Sequence, residues 1–211
     1  MRRLFVTGIG TAVGKTLVSA ILCRLWNCSY WKPVQAGDLH HSDSDQVSYL
    51  TQHKLQVLPE RYRLQTASSP HDAAGRDGLL LRLDQFEMPE IDGGLIVEGA
   101  GGLLVPLNHQ ELMIDLIRHF RLPVVLVCSE YLGSINHSLL SFYALQREEI
   151  PVDFVVLNGI QTESTKSALM AHLPKGAGLI EVPWIEDISR MDMDELLTQI
   201  KITYGTGKKD N

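Results

Sequence analysis

A lysine and a hydroxyl residue set behind a run of glycines are the side chains of this sequence best suited to chemistry. Residues 8–16 read Gly8-Ile9-Gly10-Thr11-Ala12-Val13-Gly14-Lys15-Thr16, preceded by the apolar run Leu4-Phe5-Val6-Thr7 and followed by a stretch with helical spacing. A strand, a glycine-rich turn ending in Gly-Lys-Thr and a helix make up a phosphate-binding P-loop. In such a loop, successive backbone N–H groups and the helix N-terminus cradle anionic oxygens. Lys15 adds a positive point charge, and the Thr16 hydroxyl can ligate the magnesium that accompanies a nucleotide. The strict G-x-x-x-x-G-K-[ST] pattern would place its first glycine at Ile9, whereas glycines flank that position at Gly8 and Gly10, so the match is to a variant. A glycine-rich turn with an accidental Gly-Lys-Thr is the competing reading, and the strand before and helix after weigh against it. The expected ligand is a nucleoside triphosphate.

Three further groups are candidates for the same site. The apolar run Leu95-Ile96-Val97 ends in Glu98, followed by Gly99-Ala100-Gly101-Gly102. A carboxylate after such a strand faces magnesium directly or through water, and the small residues let backbone approach phosphate or substrate. Lys32 lies in the run Tyr30-Trp31-Lys32-Pro33-Val34. Its ammonium must reach water or meet an anion, here a transferring phosphate or an acidic substrate group. The segment His40-His41-Ser42-Asp43-Ser44-Asp45 precedes a short helix. In this reading Asp43 caps that helix and Asp45 supplies a second metal carboxylate. Zinc is not expected, because adjacent histidines do not point at one ion and no further ligand falls at suitable spacing.

The elements that must carry these groups are legible as short apolar runs at 4–7, 30–34, 95–98, 124–128, 154–158 and 179–182, most of them continuous rather than alternating. That pattern suits strands covered on both faces. Helical spacing is found at 16–26, 112–120, 135–147, 164–172 and 192–204. The predicted fold is α/β and P-loop NTPase-like, a largely parallel central sheet with helices on both faces and ligands at the carboxyl ends of its strands. Residues 53–90 are harder to read; Ser68-Ser69-Pro70-His71 looks like a turn. With 211 residues, one domain over 1–204 is expected, followed by a polar, fraying tail at 205–211. A net charge of −6 argues against a dedicated nucleic-acid surface, and no apolar stretch nears the length of a membrane span. The first strand follows Met1-Arg2-Arg3 with no room for a secretory signal. Cys23 in the first helix, Cys28 in the turn after it and Cys128 at a strand end point to reduced thiols in a cytoplasm.

Taken in order, the P-loop variant, Lys32-Pro33-Val34, Ser42-Asp43, Ser69-Pro70-His71 and Val97-Glu98-Gly99-Ala100-Gly101-Gly102 resemble the dethiobiotin synthetases of biotin biosynthesis. Pro123-Val124-Val125-Leu126-Val127, Leu132-Gly133-Ser134-Ile135-Asn136-His137 and Val182-Pro183-Trp184-Ile185 extend the likeness from residue 4 to about residue 186. The resemblance implies an ATP- and magnesium-dependent cyclo-ligase that joins 7,8-diaminononanoate and CO2 into dethiobiotin, releasing ADP and phosphate. The route runs through a carbamate and a carbamic-phosphoric anhydride. It implies Lys32 and Lys15 as catalytic residues and Thr16, Asp45 and Glu98 as metal ligands. Nucleotide contacts fall to Ala12, Val13, Gly14, Lys15, Thr16, Leu17, Asp45, Glu98, Gly99, Ala100 and Gly101. Asn158, Gly159, Pro183 and Trp184 serve the base. The substrate is left to Thr11, Lys32 and Ala36, with Gly133, Ser134, Ile135 and Asn136 holding its carboxylate across the interface of a homodimer.

Two positions depart from that pattern: Ala36 lacks a hydroxyl carried by many relatives, and Ala12 replaces an acid found in some. The rival is a partitioning or site-selecting ATPase switch. That class carries a further lysine where this chain has Gly10, and its membrane forms end in a basic helix, whereas 192–204 begins with acids.

Overall fold

The computed structural model describes residues 1–205, so the expectation for the tail beyond Gly205 lies outside the described residues. Ten strands and seven α-helices are present among them. Eight strands form one sheet in the order β10-β9-β8-β7-β1-β6-β2-β4. These are β1 (Arg3–Gly8), β2 (Cys28–Trp31), β4 (Val57–Leu58), β6 (Gly94–Gly102), β7 (Val124–Ser129), β8 (Val152–Asn158), β9 (Gly178–Val182) and β10 (Lys201–Thr203). All neighbours are parallel except β9 and β10. The central strands are apolar on both faces: Leu4, Phe5, Val6 and residues 124–128 are buried throughout. Such runs need cover above and below.

The crossovers provide it. From β1 the chain passes through α1 (Lys15–Trp26) toward β2 at one side of the sheet. From β6 it passes through α4 (Met113–Phe120), α5 (Ser134–Arg147) and α6 (Glu163–Ala171) in the other direction. Right-handed connections that run in opposite directions lie on opposite faces of the sheet. The path therefore reverses at β1, whose neighbours are β6 and β7. Ligands of open α/β sheets bind beyond the strand ends at such a reversal, where the loop 9–14 follows β1.

Four elements differ from the sequence expectation. The run 30–34 is broken: β2 ends at Trp31, and β3 (Val34–Ala36) pairs instead with β5 (Tyr62–Leu64) in a separate two-stranded parallel sheet. Pro33 has no N–H to continue the ladder, and the break leaves Lys32 at the strand end. Residues 192–204 are not one helix; α7 (Met193–Gln199) is followed by β10. Cys28 lies within β2 and is buried, rather than in a turn. After Ser69 the chain forms α3 (Pro70–Arg76), with proline in the first turn, where its missing N–H costs nothing. The helix α2 (Asp43–Leu50) follows the His-His segment as expected. Among the described residues no helix is long and apolar enough to cross a membrane.

Candidate active site

The loop after β1 is built by two glycines. At Gly14, φ is +88°, and an added Cβ would lie 2.1 Å from Asn158 Nδ2. At Gly8 an added Cβ would lie 2.4 Å from Val13 Cγ2. Gly10 has open space around it apart from the Tyr131 hydroxyl at 3.7 Å. Of the two glycines flanking Ile9, close packing therefore demands Gly8. Gly14 is also the N-cap of α1, whose first turn contains no acidic residue. The first N–H groups of that helix have no intrahelical acceptor and face no carboxylate of their own turn, which suits an incoming anion.

Around this loop lies a cleft of about 700 Å³, reached by Thr11, Ala12, Gly14, Lys15, Thr16 and Leu17 from the loop and α1. Lys32, Ala36 and Asp43 line it from the β2 side, and Glu98 in the middle of β6 with Ala100 and Gly101 toward its end, since that strand runs on through the glycine-alanine run to Gly102. Ser68, Ser69 and Pro70 close another side. Lys15 Nζ donates to the Gly10 carbonyl at 3.0 Å, and burial lowers its pKa, with Glu98 working in the other direction.

The centre of the cleft is an ion cluster. Lys32 is 4% exposed, with its Nζ 2.7 Å from Asp43 Oδ2 and 3.1 Å from Glu98 Oε1. Burial pulls its ammonium toward neutrality, but the two carboxylates outweigh that and move its pKa upward. Asp43 is the mirror case: burial raises its pKa, while Lys32 and a hydrogen bond from Thr16 bring it below the ordinary carboxylate value. Glu98 has no exposed surface. Its Oε1 accepts from Thr16 Oγ1 (3.2 Å) and Lys32; its Oε2 accepts from Ser19 Oγ (2.8 Å) and Tyr30 Oη (3.0 Å).

Asp45, and not Asp43, takes part in capping α2. Ser42 caps α2, and Asp45 completes the capping box: its carboxylate accepts from Ser42 N at 2.9 Å and Ser42 Oγ at 2.8 Å. These bonds hold Asp45 below the ordinary carboxylate pKa and turn it away from the cleft. Asp43, at the first helical position, faces Lys32 instead. Gln35 helps set this entry, since its Oε1 accepts from Asp43 N at 3.3 Å and its Nε2 donates to the Gly37 carbonyl. Spacing of Ser42 and Asp45 by three residues was the available signal for the cap.

Residues 2–192 match the AAA domain family. The ATP-dependent dethiobiotin synthetases BioD of Brucella ovis and Brucella melitensis are each 43% identical to this chain over 188 residues, 89% of it and 88% of theirs. The chain belongs to the ATP-dependent dethiobiotin synthetase family. It is a ligase of that family. In fold it is similar to a plasmid partition protein of Borrelia burgdorferi bound to AMPPNP (TM-score 0.54, 10% identity, 94% of this chain and 96% of that one). A ParA family ATPase of Chlorobium tepidum gives a TM-score of 0.51 at 14% identity, covering 94% and 90%. These two likenesses bear on the fold alone, while sequence identity places the chain with the dethiobiotin synthetases.

The other family positions sort by place. Asn158, at the end of β8, donates from Nδ2 to the Val13 carbonyl at 2.9 Å and so ties the next-but-one strand to the loop. Gly159 has φ +65°, and a Cβ there would lie 3.0 Å from the Trp184 ring. Pro183 and Trp184, after β9, line a second cleft of about 700 Å³ against α7; Ile188 of the same loop reaches the first. Gly99 presents its carbonyl to Lys32 at 3.5 Å. Gly133, with φ +98°, caps α5, but Gly133, Ser134, Ile135 and Asn136 do not line the Lys32 cleft. Beside them Leu104, Tyr131, Leu132, Leu140 and Tyr143 are exposed.

For a metal, the donors near the loop are the Thr16 hydroxyl and the carboxylates of Asp43 and Glu98, all hard oxygens. Among the described residues no three His, Cys, Asp or Glu side chains form a metal cage. Oxygen donors too few to enclose an ion fit magnesium, which keeps waters and completes its shell with phosphate oxygens. Sequence reasoning had no signal for Ser19 or Tyr30 as partners of Glu98, since both lie in stretches read only as core-facing helix and strand.

Proposed function

We propose that this ligase joins 7,8-diaminononanoate and CO2 at the expense of ATP to give dethiobiotin, ADP and phosphate, with magnesium held at Thr16, Asp43 and Glu98. The observation that carries this reading is the buried Lys32 ammonium, held beside the P-loop by two carboxylates. A carbamate and a γ-phosphate are both anionic, so their approach needs fixed cations between them. Lys32 meets the carbamate, and Lys15, released from the Gly10 carbonyl, meets the phosphate. One amine captures CO2 and loses a proton; a carbamate oxygen then attacks the γ-phosphorus and ADP departs. The second amine attacks the carbonyl carbon of the mixed anhydride, closing the cyclic urea as phosphate leaves and takes up the proton that amine gives up. Magnesium, when bound, would neutralise charge on the phosphate oxygens. The loop N–H groups and the N-terminus of α1 hold the phosphates, and the segment with Asn158, Gly159, Pro183 and Trp184 takes the base.

The substrate residues divide into Thr11, Lys32 and Ala36 in the cleft and 133–136 outside it. This division, with the exposed apolar side chains beside α5, supports a homodimer in which one subunit's α5 N-terminus receives the carboxylate tail bound by its partner. The test supplies diamine, 13C-bicarbonate, ATP and magnesium, and follows both ring-carbonyl label and phosphate release. We expect one labelled dethiobiotin per phosphate and none when any component is omitted. Phosphate release independent of diamine would overturn the reading.

A further inference from the structure

Glu98 has its two oxygens on different tasks. Oε1 takes the Thr16 hydroxyl and the Lys32 ammonium, and both donors line the cleft. Oε2 takes Ser19 and Tyr30, and neither of these lines it. Ser19 comes from the second turn of α1 and Tyr30 from the middle of β2, so two elements fix one oxygen from separate directions. Ser19, Tyr30 and Glu98 are all without exposed surface, so bulk solvent reaches neither donor.

The proposed function, on which this inference rests, asks Oε1 to change partners. Thr16 must offer a hydroxyl lone pair to a metal, and Lys32 must turn its ammonium from Oε1 toward a substrate anion. A buried carboxylate that lost the ammonium and had no donors on its other oxygen would neutralise or swing away. Glutamate, with one more rotatable bond than aspartate, has the greater need of a tether. We propose that Tyr30, together with Ser19, is a positioning residue that holds Glu98 by Oε2 and so keeps Oε1 aimed at the metal throughout turnover.

Tyr30→Phe removes the hydroxyl and keeps the ring. The measurement is Mn2+ binding by electron paramagnetic resonance to the full-length protein saturated with AMPPNP, with AMPPNP affinity in EDTA as a second readout. Partners of metal ligands commonly contribute about tenfold or more to metal affinity. We expect the Mn2+ dissociation constant to rise about tenfold in Tyr30→Phe and similarly in Ser19→Ala. Metal-free nucleotide affinity should stay within about twofold, since neither residue touches the loop that holds phosphate. If Tyr30→Phe does not fold, Ser19→Ala decides the matter through the other donor. A variant that melts earlier but binds Mn2+ like wild type would reduce Tyr30 to a packing residue and overturn the inference. Glu98→Gln separates the two levels. Normal Mn2+ binding in Glu98→Gln removes the metal role of Glu98 itself, whereas its loss there alongside normal binding in Tyr30→Phe removes only the tether.

Discussion

Replacing Lys32 by alanine tests the ion cluster in two independent ways. Its ammonium is 4% exposed and lies 2.7 and 3.1 Å from two carboxylates, one of them without exposed surface. Solvent screening of the Lys32–Glu98 pair is therefore slight, and removal leaves the buried Glu98 facing Asp43, whose side chain is 28% exposed. Breaking a buried pair by deleting one partner costs about 3–5 kcal/mol. For a domain of this size each kcal/mol moves the melting midpoint by about 2–4 °C, so metal-free Lys32→Ala should melt at least about 6 °C below wild type. Magnesium should recover part of that loss in the variant, because a divalent cation between Asp43 and Glu98 replaces the missing charge. Turnover should not recover. Loss of a fixed cation at the site of phosphoryl transfer is worth about a hundredfold in rate or more, roughly 2.7 kcal/mol of transition-state stabilisation. Calorimetry with and without magnesium reads the first effect, and dethiobiotin formation from diamine, bicarbonate and ATP reads the second. Unchanged melting would mean the cluster does not form as described. Turnover within about tenfold of wild type would remove Lys32 from the transfer step.

Asp43→Asn should weaken Mn2+ binding about tenfold or more, as expected for a lost carboxylate ligand. Asp45→Asn should cost about 1 kcal/mol of stability through the helix cap and leave metal affinity and turnover near wild type, as read by urea unfolding and steady-state assay. Gly14→Ala should abolish nucleotide binding measured by calorimetric titration, because a Cβ at φ +88° would overlap Asn158. Glu130 accepts from the Thr162 side chain, Gln161 N, Thr162 N and Thr165 Oγ1, which bring its pKa from 4.5 to about 2. A depressed carboxylate stabilises the fold above its unfolded pKa and loses that contribution as pH falls through its folded value. The melting difference between wild type and Glu130→Gln should therefore be full above about pH 5 and shrink steadily toward pH 2. A pH-independent difference would point to packing instead.

Much of the fold was legible because its signals are local. A P-loop needs a strand, its glycines and a helix start within about twenty residues, and all are written between Arg3 and Trp26. Continuous apolar runs located six of the seven parallel strands of the main sheet, all but β4, and an acid directly after one run was enough to single out Glu98. Where neighbours in space are distant in sequence, local signals could not decide. Whether 201–203 is helix or strand depends on the free edge of β9. The fate of Val34 depends on Tyr62, its partner across a second sheet.

The same limit divides the candidate site. Residue types and their order along the chain were sufficient to name a triphosphate loop, a lysine in an apolar run and an acidic pair, because a charge in such a run must reach water or meet a counter-charge. Which member of the acidic pair meets the lysine was decided by a helix cap: Ser42 engages Asp45, and the first turn then presents Asp43 to the cleft. That Ser19 and Tyr30 meet on one oxygen of Glu98 follows only from the packing of α1 against β2 and β6, 79 and 68 residues away in sequence. Sequence specified which groups had to be neutralised; the sheet order and the rotation of two helices chose their partners.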